Sequence, residues 1–143
     1  MWFFDFMKIV LSQEQLILYF QEKGVLKSTS VCHECEMKMK LQKYAYHIDG
    51  YVFRCLKCKR RTTLRSGTFL EQSKLSLPVF AMMLLFHHLG VLQKDIAEML
   101  DLNSNTVVDY SNFIREQCSN VLIRDDEKLG GQELEWRIEI NAC

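Results

Sequence analysis

Three features that would assign the sequence to a broad functional class are missing from its pattern: the form expected of a signal peptide, the form expected of a membrane span, and a net charge. The segment Met1–Met7 is apolar, but it contains Asp5 and has neither a basic leader nor a small-residue cleavage site, so we do not expect it to direct secretion. The apolar run Leu75–Leu92 is interrupted by a proline, a serine and two histidines, which favours a buried core helix over a membrane span. We therefore expect an intracellular protein that does not contact a membrane.

The net charge of zero conceals an asymmetry along the chain. Residues 22–74 contain twelve lysines and arginines against five aspartates and glutamates, whereas residues 75–143 contain five against eleven. A basic segment followed by an acidic one suggests that the first part meets nucleic acid, because Lys and Arg neutralise phosphates. The alternative is a pair of solvated surfaces whose charges balance.

Four of the six cysteines form two C-x-x-C pairs separated by nineteen residues, namely Cys32, Cys35, Cys55 and Cys58. This spacing predicts a four-cysteine zinc ribbon, because each pair supplies two thiolates from one tight turn and Zn²⁺ takes four ligands in a tetrahedron. Two disulfides, or unrelated buried thiols, are the alternatives, and nothing else in the chain indicates the oxidising compartment that disulfides need. We predict one structural Zn²⁺.

The residues between the cysteine pairs alternate as strands do. The alternation of polar and apolar residues over Glu36–Leu41 predicts a first strand, His47–Gly50 a turn and Tyr51–Phe53 a second strand.

The residues before the ribbon predict a helix that packs against the ribbon. Ser12 and Gln15 have the form of a capping box, and Gly24 ends the helix. A ribbon buries little surface of its own. We therefore expect this helix to form a wall of its core, with further apolar residues packed beneath it, namely Phe3, Phe4, Phe6, Ile9 and Val10.

A cluster of cations begins inside the second cysteine pair. Five lie within nine residues, more than are needed to offset thiolate charge: Lys57, Lys59, Arg60, Arg61 and Arg65. We predict that they contact phosphates. The alternative is a solvated edge strand whose charges prevent pairing with another chain.

From Lys74 onwards the pattern becomes helical. Ser76 begins one helix and Gly90 ends it, a short helix covers residues 93–100, and Asn103 caps a third helix that runs to about Val121. A short helix, a tight turn and a longer helix form a helix-turn-helix pattern, whose second helix would approach DNA bases through Ser104, Asn105, Thr106 and Tyr110. No Lys or Arg follows the turn until Arg115, so a plain helical bundle or a partner-binding face is the alternative.

The last residues alternate like a strand over Glu133–Asn141, after Gly130 and Gly131. A lone strand is not stable without a sheet to join. We therefore expect this segment to be the start of a domain that the chain does not complete.

The order of these parts resembles Merlin-type DNA transposases, eukaryotic elements similar to a group of bacterial insertion-sequence transposases. Besides the ribbon and the helix-turn-helix, the resemblance rests on short motifs at Ser66–Leu70, Ser73–Leu75, Lys94–Ala97, Thr106–Asp109 and Gly130–Gly131.

The resemblance implies a function in the nucleus at the terminal inverted repeats of a transposon. It implies that a ribonuclease-H-like catalytic domain follows, in which acidic residues hold two metal ions. Asn141 stands where the family has its first catalytic aspartate, and Ala142 stands at the next acid. The family also often has a serine where this chain has Leu92, and basic residues where it has Ser104 and Asn105. Because Asn141 and Ala142 replace the first acids and the chain has no room for the others, we expect no catalytic residues here.

These observations together predict an α+β protein with four parts: a helical segment at 1–28, the ribbon at 29–70, the helix-turn-helix at 74–124, and a truncated catalytic-domain start at 128–143. The expected function is that of a zinc-dependent, non-catalytic DNA-binding fragment derived from a transposase, with a homodimer as a further expectation. The alternatives are a fragment of an active cut-and-paste transposase and a protein–protein interaction module in the acidic helical half.

Overall fold

The computed structural model describes residues 2–126, with side chains described as far as Ser119. Within this range the chain is α+β, as predicted, with five helices and one three-stranded antiparallel sheet. The described part of the chain divides into two compact units, with the boundary between Phe80 and Ala81 inside the third helix. The strand predicted over Glu133–Asn141 and the domain start predicted at 128–143 lie outside the described residues.

The first unit begins with two helices, α1 (Trp2–Leu11) and α2 (Gln13–Glu22). Ser12 is the N-cap of α2, and its side chain accepts a hydrogen bond from the Gln15 backbone N–H at 3.5 Å, as predicted. Gly24 closes the end of the helix, as predicted. Its φ is +74°, and the Val25 N–H that follows donates to the Phe20 carbonyl at 2.8 Å.

The aromatic residues at the start of α1 are not all buried. The prediction that Phe3 and Phe4 pack beneath α2 is wrong, because their side chains are 39% and 68% exposed. Phe6 meets the Tyr19 ring edge-on at 6.0 Å, and Val10 is buried. Phe4 lies two positions before Phe6 and so points to the opposite face of α1, whereas Phe3 lies near the face of Phe6 and Val10 but is exposed in the first turn of the helix.

The sheet consists of β1 (Lys40–Lys43), β2 (Tyr51–Arg54) and β3 (Arg61–Thr63) in that order, with both neighbouring pairs antiparallel. The predicted turn joins β1 to β2, and the Tyr44 N–H donates to the Gly50 carbonyl at 2.8 Å.

The first strand begins later than predicted. Glu36 has a φ of +53°, which interrupts the extended backbone, and only an isolated bridge between Val31 and Lys38 precedes β1. The prediction of a strand over Glu36–Leu41 is therefore wrong in its first four residues.

Helix α2 contacts the sheet through Glu14. The Tyr51 hydroxyl donates to the Glu14 carboxylate at 2.5 Å, and Lys43 forms an ion pair with the same carboxylate at 2.7 Å. The core of the unit includes apolar residues from α2, the sheet and the following segment, among them Leu16, Ile17, Phe20, Phe53, Leu64 and Leu70.

The remaining helices are α3 (Leu77–His88), α4 (Gln93–Met99) and α5 (Ser104–Asp126). Gly90 ends α3 with a φ of +71°, and Asn103 caps α5 by accepting the Asn105 N–H at 2.8 Å, both as predicted. Leu92 begins α4 without a side-chain cap.

Helices α4 and α5 pack against each other in the second unit. The buried side chains there include Ile96 and Ala97 of α4, and Val107, Ser111 and Ile114 of α5. Within the described residues, every helix is too short or too polar to cross a bilayer.

Candidate metal centre

Each cysteine pair forms a knuckle, and the two knuckles have the same backbone geometry. In the first, the Cys32 N–H donates to the Met37 carbonyl at 3.0 Å and the Glu36 N–H donates to the Cys32 carbonyl at 2.9 Å. In the second, the Cys55 N–H donates to the Arg60 carbonyl at 2.9 Å and the Lys59 N–H to the Cys55 carbonyl at 3.1 Å. The two turns therefore place their thiols in equivalent positions.

Both knuckles also contain a left-handed residue four positions after the first cysteine. Glu36 has a φ of +53° and Lys59 a φ of +63°. This backbone conformation is unusual for residues other than glycine. Sequence reasoning missed it because neither position carries the glycine, asparagine or aspartate that would indicate it.

The two knuckles bring all four predicted ligands together. The sulfur atoms of Cys32, Cys35, Cys55 and Cys58 lie within 4.8 Å of one another, and the Cys32 and Cys58 sulfurs are 3.4 Å apart. Four thiolates around one tetrahedral Zn²⁺, with bonds of about 2.3 Å, would place their sulfurs about 3.8 Å apart. The observed cluster therefore has the size of a single metal site.

The alternative of two disulfides disagrees with the structure. All four cysteines are free thiols, and the Cys32–Cys58 separation of 3.4 Å is far longer than a sulfur–sulfur bond of about 2 Å. Cys32 and Cys55 are buried, whereas Cys35 and Cys58 are half-buried. The cluster is thus closed on one side by the protein and lies near the surface on the other.

The backbone of each knuckle stabilises the thiolate of its first cysteine. N–H groups of Cys58 and Lys57 lower the pKa of Cys55 to about 7, and those of Cys35 and Glu34 lower the pKa of Cys32. In contrast, the neighbouring Cys58 thiol raises the pKa of Cys35 to about 12. Four thiolates at this spacing repel one another, so the fully ionised cluster requires a cation to neutralise it.

Most of the predicted phosphate-contacting residues are exposed beside the second knuckle. Lys57, Lys59, Arg60 and Arg61 all have exposed side chains. Lys59 donates from Nζ to the Leu56 carbonyl at 2.8 Å, and Arg60 forms an ion pair with Glu34 of the first knuckle. These contacts hold two of the cations close to the cysteine cluster.

Arg65 does not belong to this exposed set. Its side chain is 3% exposed, and its guanidinium binds the carboxylate of Asp49 and the carbonyl of Ser73. A guanidinium held inside the protein cannot reach a phosphate, so we correct the prediction that Arg65 contacts DNA.

The residues predicted to approach bases lie on the first turns of α5. Ser104 and Asn105 are exposed, and Thr106 and Tyr110 are half-buried. All four therefore keep some surface open to solvent, and their contact with DNA stays a prediction.

Comparisons of the chain with protein families, curated proteins and solved structures find no match. The resemblance to Merlin-type transposases therefore stays a prediction based on the motifs quoted above.

Proposed function

We propose that this chain is a zinc-dependent DNA-binding module in which the four-cysteine cluster folds the first unit. The observation that carries the proposal is the convergence of four thiols within 4.8 Å, with exposed cations beside the second knuckle. Zinc suits such a site because thiolates are soft ligands and four of them complete its tetrahedral shell. A closed shell of this kind supports a structural role for the ion.

The DNA contacts of this proposal come from two places. Lys57, Lys59, Arg60 and Arg61 supply phosphate contacts beside the second knuckle, where their charge is exposed. Helices α4 and α5 supply the helix-turn-helix, and Ser104, Asn105, Thr106 and Tyr110 supply the base contacts. Phosphate contacts set affinity and base contacts set sequence preference, so the two groups have separable effects on binding.

Metal analysis tests the first half of the proposal. We expect about one zinc per chain in protein purified without added metal, and loss of the folded first unit after chelation. The measurements are elemental analysis and circular dichroism before and after a chelator. Purified protein that contains no metal, and whose spectrum a chelator leaves unchanged, would contradict a structural zinc site.

Salt dependence of DNA binding tests the second half. We expect the affinity for duplex DNA to fall steeply as salt rises, and the double variant Lys57→Gln/Lys59→Gln to reduce the logarithmic slope by about two. The matched control is Lys8→Gln/Lys23→Gln, which removes the same charge from α1 and from the end of α2. Equal slopes for the two variants would contradict phosphate contacts at the second knuckle. No binding at low salt would instead favour the protein-interaction alternative.

Descent from a Merlin-type transposase is part of the same proposal, and the order of ribbon and helices supports it. Genomic sequence beyond codon 143 tests it. A downstream frame encoding further acidic residues, between terminal inverted repeats, would support descent and would favour an active transposase. Sequence without either feature would leave the DNA-binding module without its proposed origin.

A further inference from the structure

The register of the sheet places three cations side by side. Lys40 of β1 pairs with Arg54 of β2, and Arg54 pairs with Arg61 of β3. Directly paired residues point to the same side of a sheet, with side chains about 5 Å apart. The three cations therefore form one continuous line across all three strands, which we name the cation row.

The cation row lies on the side of the sheet opposite the one that contacts Glu14 of α2. Tyr51 and Phe53 alternate with Arg54 along β2 and so point to the opposite side, where the Tyr51 hydroxyl meets Glu14 of α2. Lys40 and Arg61 are exposed, and Arg54 is half-buried between them. We name this side the outer sheet face; its exposed part is the end with Lys40 and Arg61, whereas Val52 on the same side is buried.

The cation row has no internal compensation. Among the described residues, no carboxylate forms an ion pair with Lys40, Arg54 or Arg61, and the Nε atom of Arg54 is buried without a hydrogen-bond acceptor. Like charges placed directly opposite one another destabilise a sheet. The arrangement therefore favours an external anion that contacts several of the cations together.

Two tyrosines extend the same face. Tyr44 lies four positions after Lys40, and the Arg61 guanidinium sits over its ring at 4.5 Å from the centroid, which places the ring on the outer sheet face. The Tyr46 ring packs against it at 5.6 Å and is 91% exposed. An exposed tyrosine held by a neighbouring ring offers a flat surface on which a nucleobase can stack.

We propose that the outer sheet face binds single-stranded DNA, with the cation row on the phosphates and Tyr46 stacked on an unpaired base. The requirement for an unpaired base distinguishes single-stranded from duplex DNA, because the bases of a duplex are stacked on each other and none is available to Tyr46. This inference deepens the proposed function: it adds Lys40, Arg54, Tyr44 and Tyr46 to the contacts and assigns them an unpaired segment of DNA.

Fluorescence anisotropy at low salt tests the proposal with the zinc-loaded full chain. The probes are a labelled oligothymidylate of about 15 nucleotides and a duplex of the same length. We expect Tyr46→Ala to weaken binding of the single strand about tenfold while changing duplex binding less than about twofold. Tyr46 is almost fully exposed, so its removal leaves the core untouched.

A matched pair of lysines tests the cation row. Lys40 and Lys43 lie three residues apart on β1, but they point to opposite sides of the sheet. We expect Lys40→Gln to weaken single-strand binding about fivefold and Lys43→Gln to have a smaller effect, although each variant loses one charge. The zinc content of both variants should equal that of the parent protein.

Three outcomes of the binding assays would overturn the proposal. They are equal losses from Lys40→Gln and Lys43→Gln, an unchanged affinity in Tyr46→Ala, and duplex binding by a parent protein that does not bind oligothymidylate. The last outcome leaves the proposed DNA-binding function intact and removes only this inference. Loss of zinc together with loss of binding in Lys40→Gln would also overturn it, because the row would then serve the metal cluster.

Discussion

Arg65 and Asp49 form a two-point ion pair inside the first unit, with Nε–Oδ2 and Nη2–Oδ1 distances of 2.8 Å and 2.5 Å. Both side chains are almost completely buried, at 3% and 0% exposure. The remaining nitrogen of the guanidinium donates to the Ser73 carbonyl at 2.9 Å. The pair thus ties the β1–β2 turn to the segment that leads into α3.

Removal of one partner from this pair should be strongly destabilising. Asp49→Asn leaves the Arg65 charge buried without compensation, and we expect it to lower the free energy of unfolding by about 3–5 kcal/mol. Urea unfolding of the zinc-loaded protein, followed by circular dichroism, measures the change. The double variant Asp49→Leu/Arg65→Met removes both charges and should be less destabilised than Asp49→Asn. A double variant that is the less stable of the two would contradict this account.

The Arg65–Asp49 pair also shows what the sequence could not reveal. Arg65 was grouped with the exposed cations because it follows them closely along the chain, whereas its partner is sixteen residues away. A pattern of residue types gives charge and spacing, but it does not tell which cation the fold buries. The cation row was missed for a similar reason, because it depends on strand register.

Local features were predictable because their causes are local. The cysteine spacing predicted the cluster, since each knuckle is built within six residues, and Ser12 and Asn103 predicted helix starts that their own hydrogen bonds confirm. The exposed aromatic residues of α1 were not predictable, because their exposure depends on how α1 packs against α2. The late start of β1 depends on the left-handed backbone at Glu36.

Loss of one cluster thiol should unfold the first unit. Cys55 is fully buried and supplies one of four ligands, so Cys55→Ser should abolish stoichiometric zinc binding and most of the cooperative unfolding signal of this unit. Cys118→Ser is the matched control, because Cys118 lies outside the cluster. Metal analysis and thermal unfolding measure both variants. Equal zinc contents in the two would show that the cluster is not the metal site.

His87 should make the second unit sensitive to mild acid. Burial, together with the positive charge of Arg115, lowers the pKa of His87 below its ordinary value, and its Nδ1 atom is buried without a hydrogen-bond partner among the described residues. The unfolded chain therefore binds a proton more readily than the folded one. The stability contributed by neutral His87 is complete above about pH 6.5 and declines as the pH falls from there towards the folded pKa.

The measurement is chemical unfolding at pH 7.5 and at successively lower pH, with zinc in excess. We expect His87→Gln to lose less stability on acidification than the parent protein does. His88→Gln is the control, since His88 is the exposed neighbour on the same helix end. An identical pH dependence in His87→Gln and the parent protein would assign the acid sensitivity to other groups.

Helix α4 should be stabilised by a single cap substitution at Leu92. Leu92 already has the extended backbone of an N-cap, with φ −64° and ψ 141°, and its carbonyl accepts the Ile96 N–H at 3.0 Å. Its side chain makes no cap hydrogen bond and is 70% exposed, so replacement loses little packing. Leu92→Ser would supply an acceptor for the free N–H groups of the first turn, which we expect to add about 1 kcal/mol to the free energy of unfolding. Leu92→Ala, which removes the same apolar surface without adding an acceptor, isolates the cap in urea unfolding, and equal stabilities for the two variants would show that α4 begins elsewhere in solution.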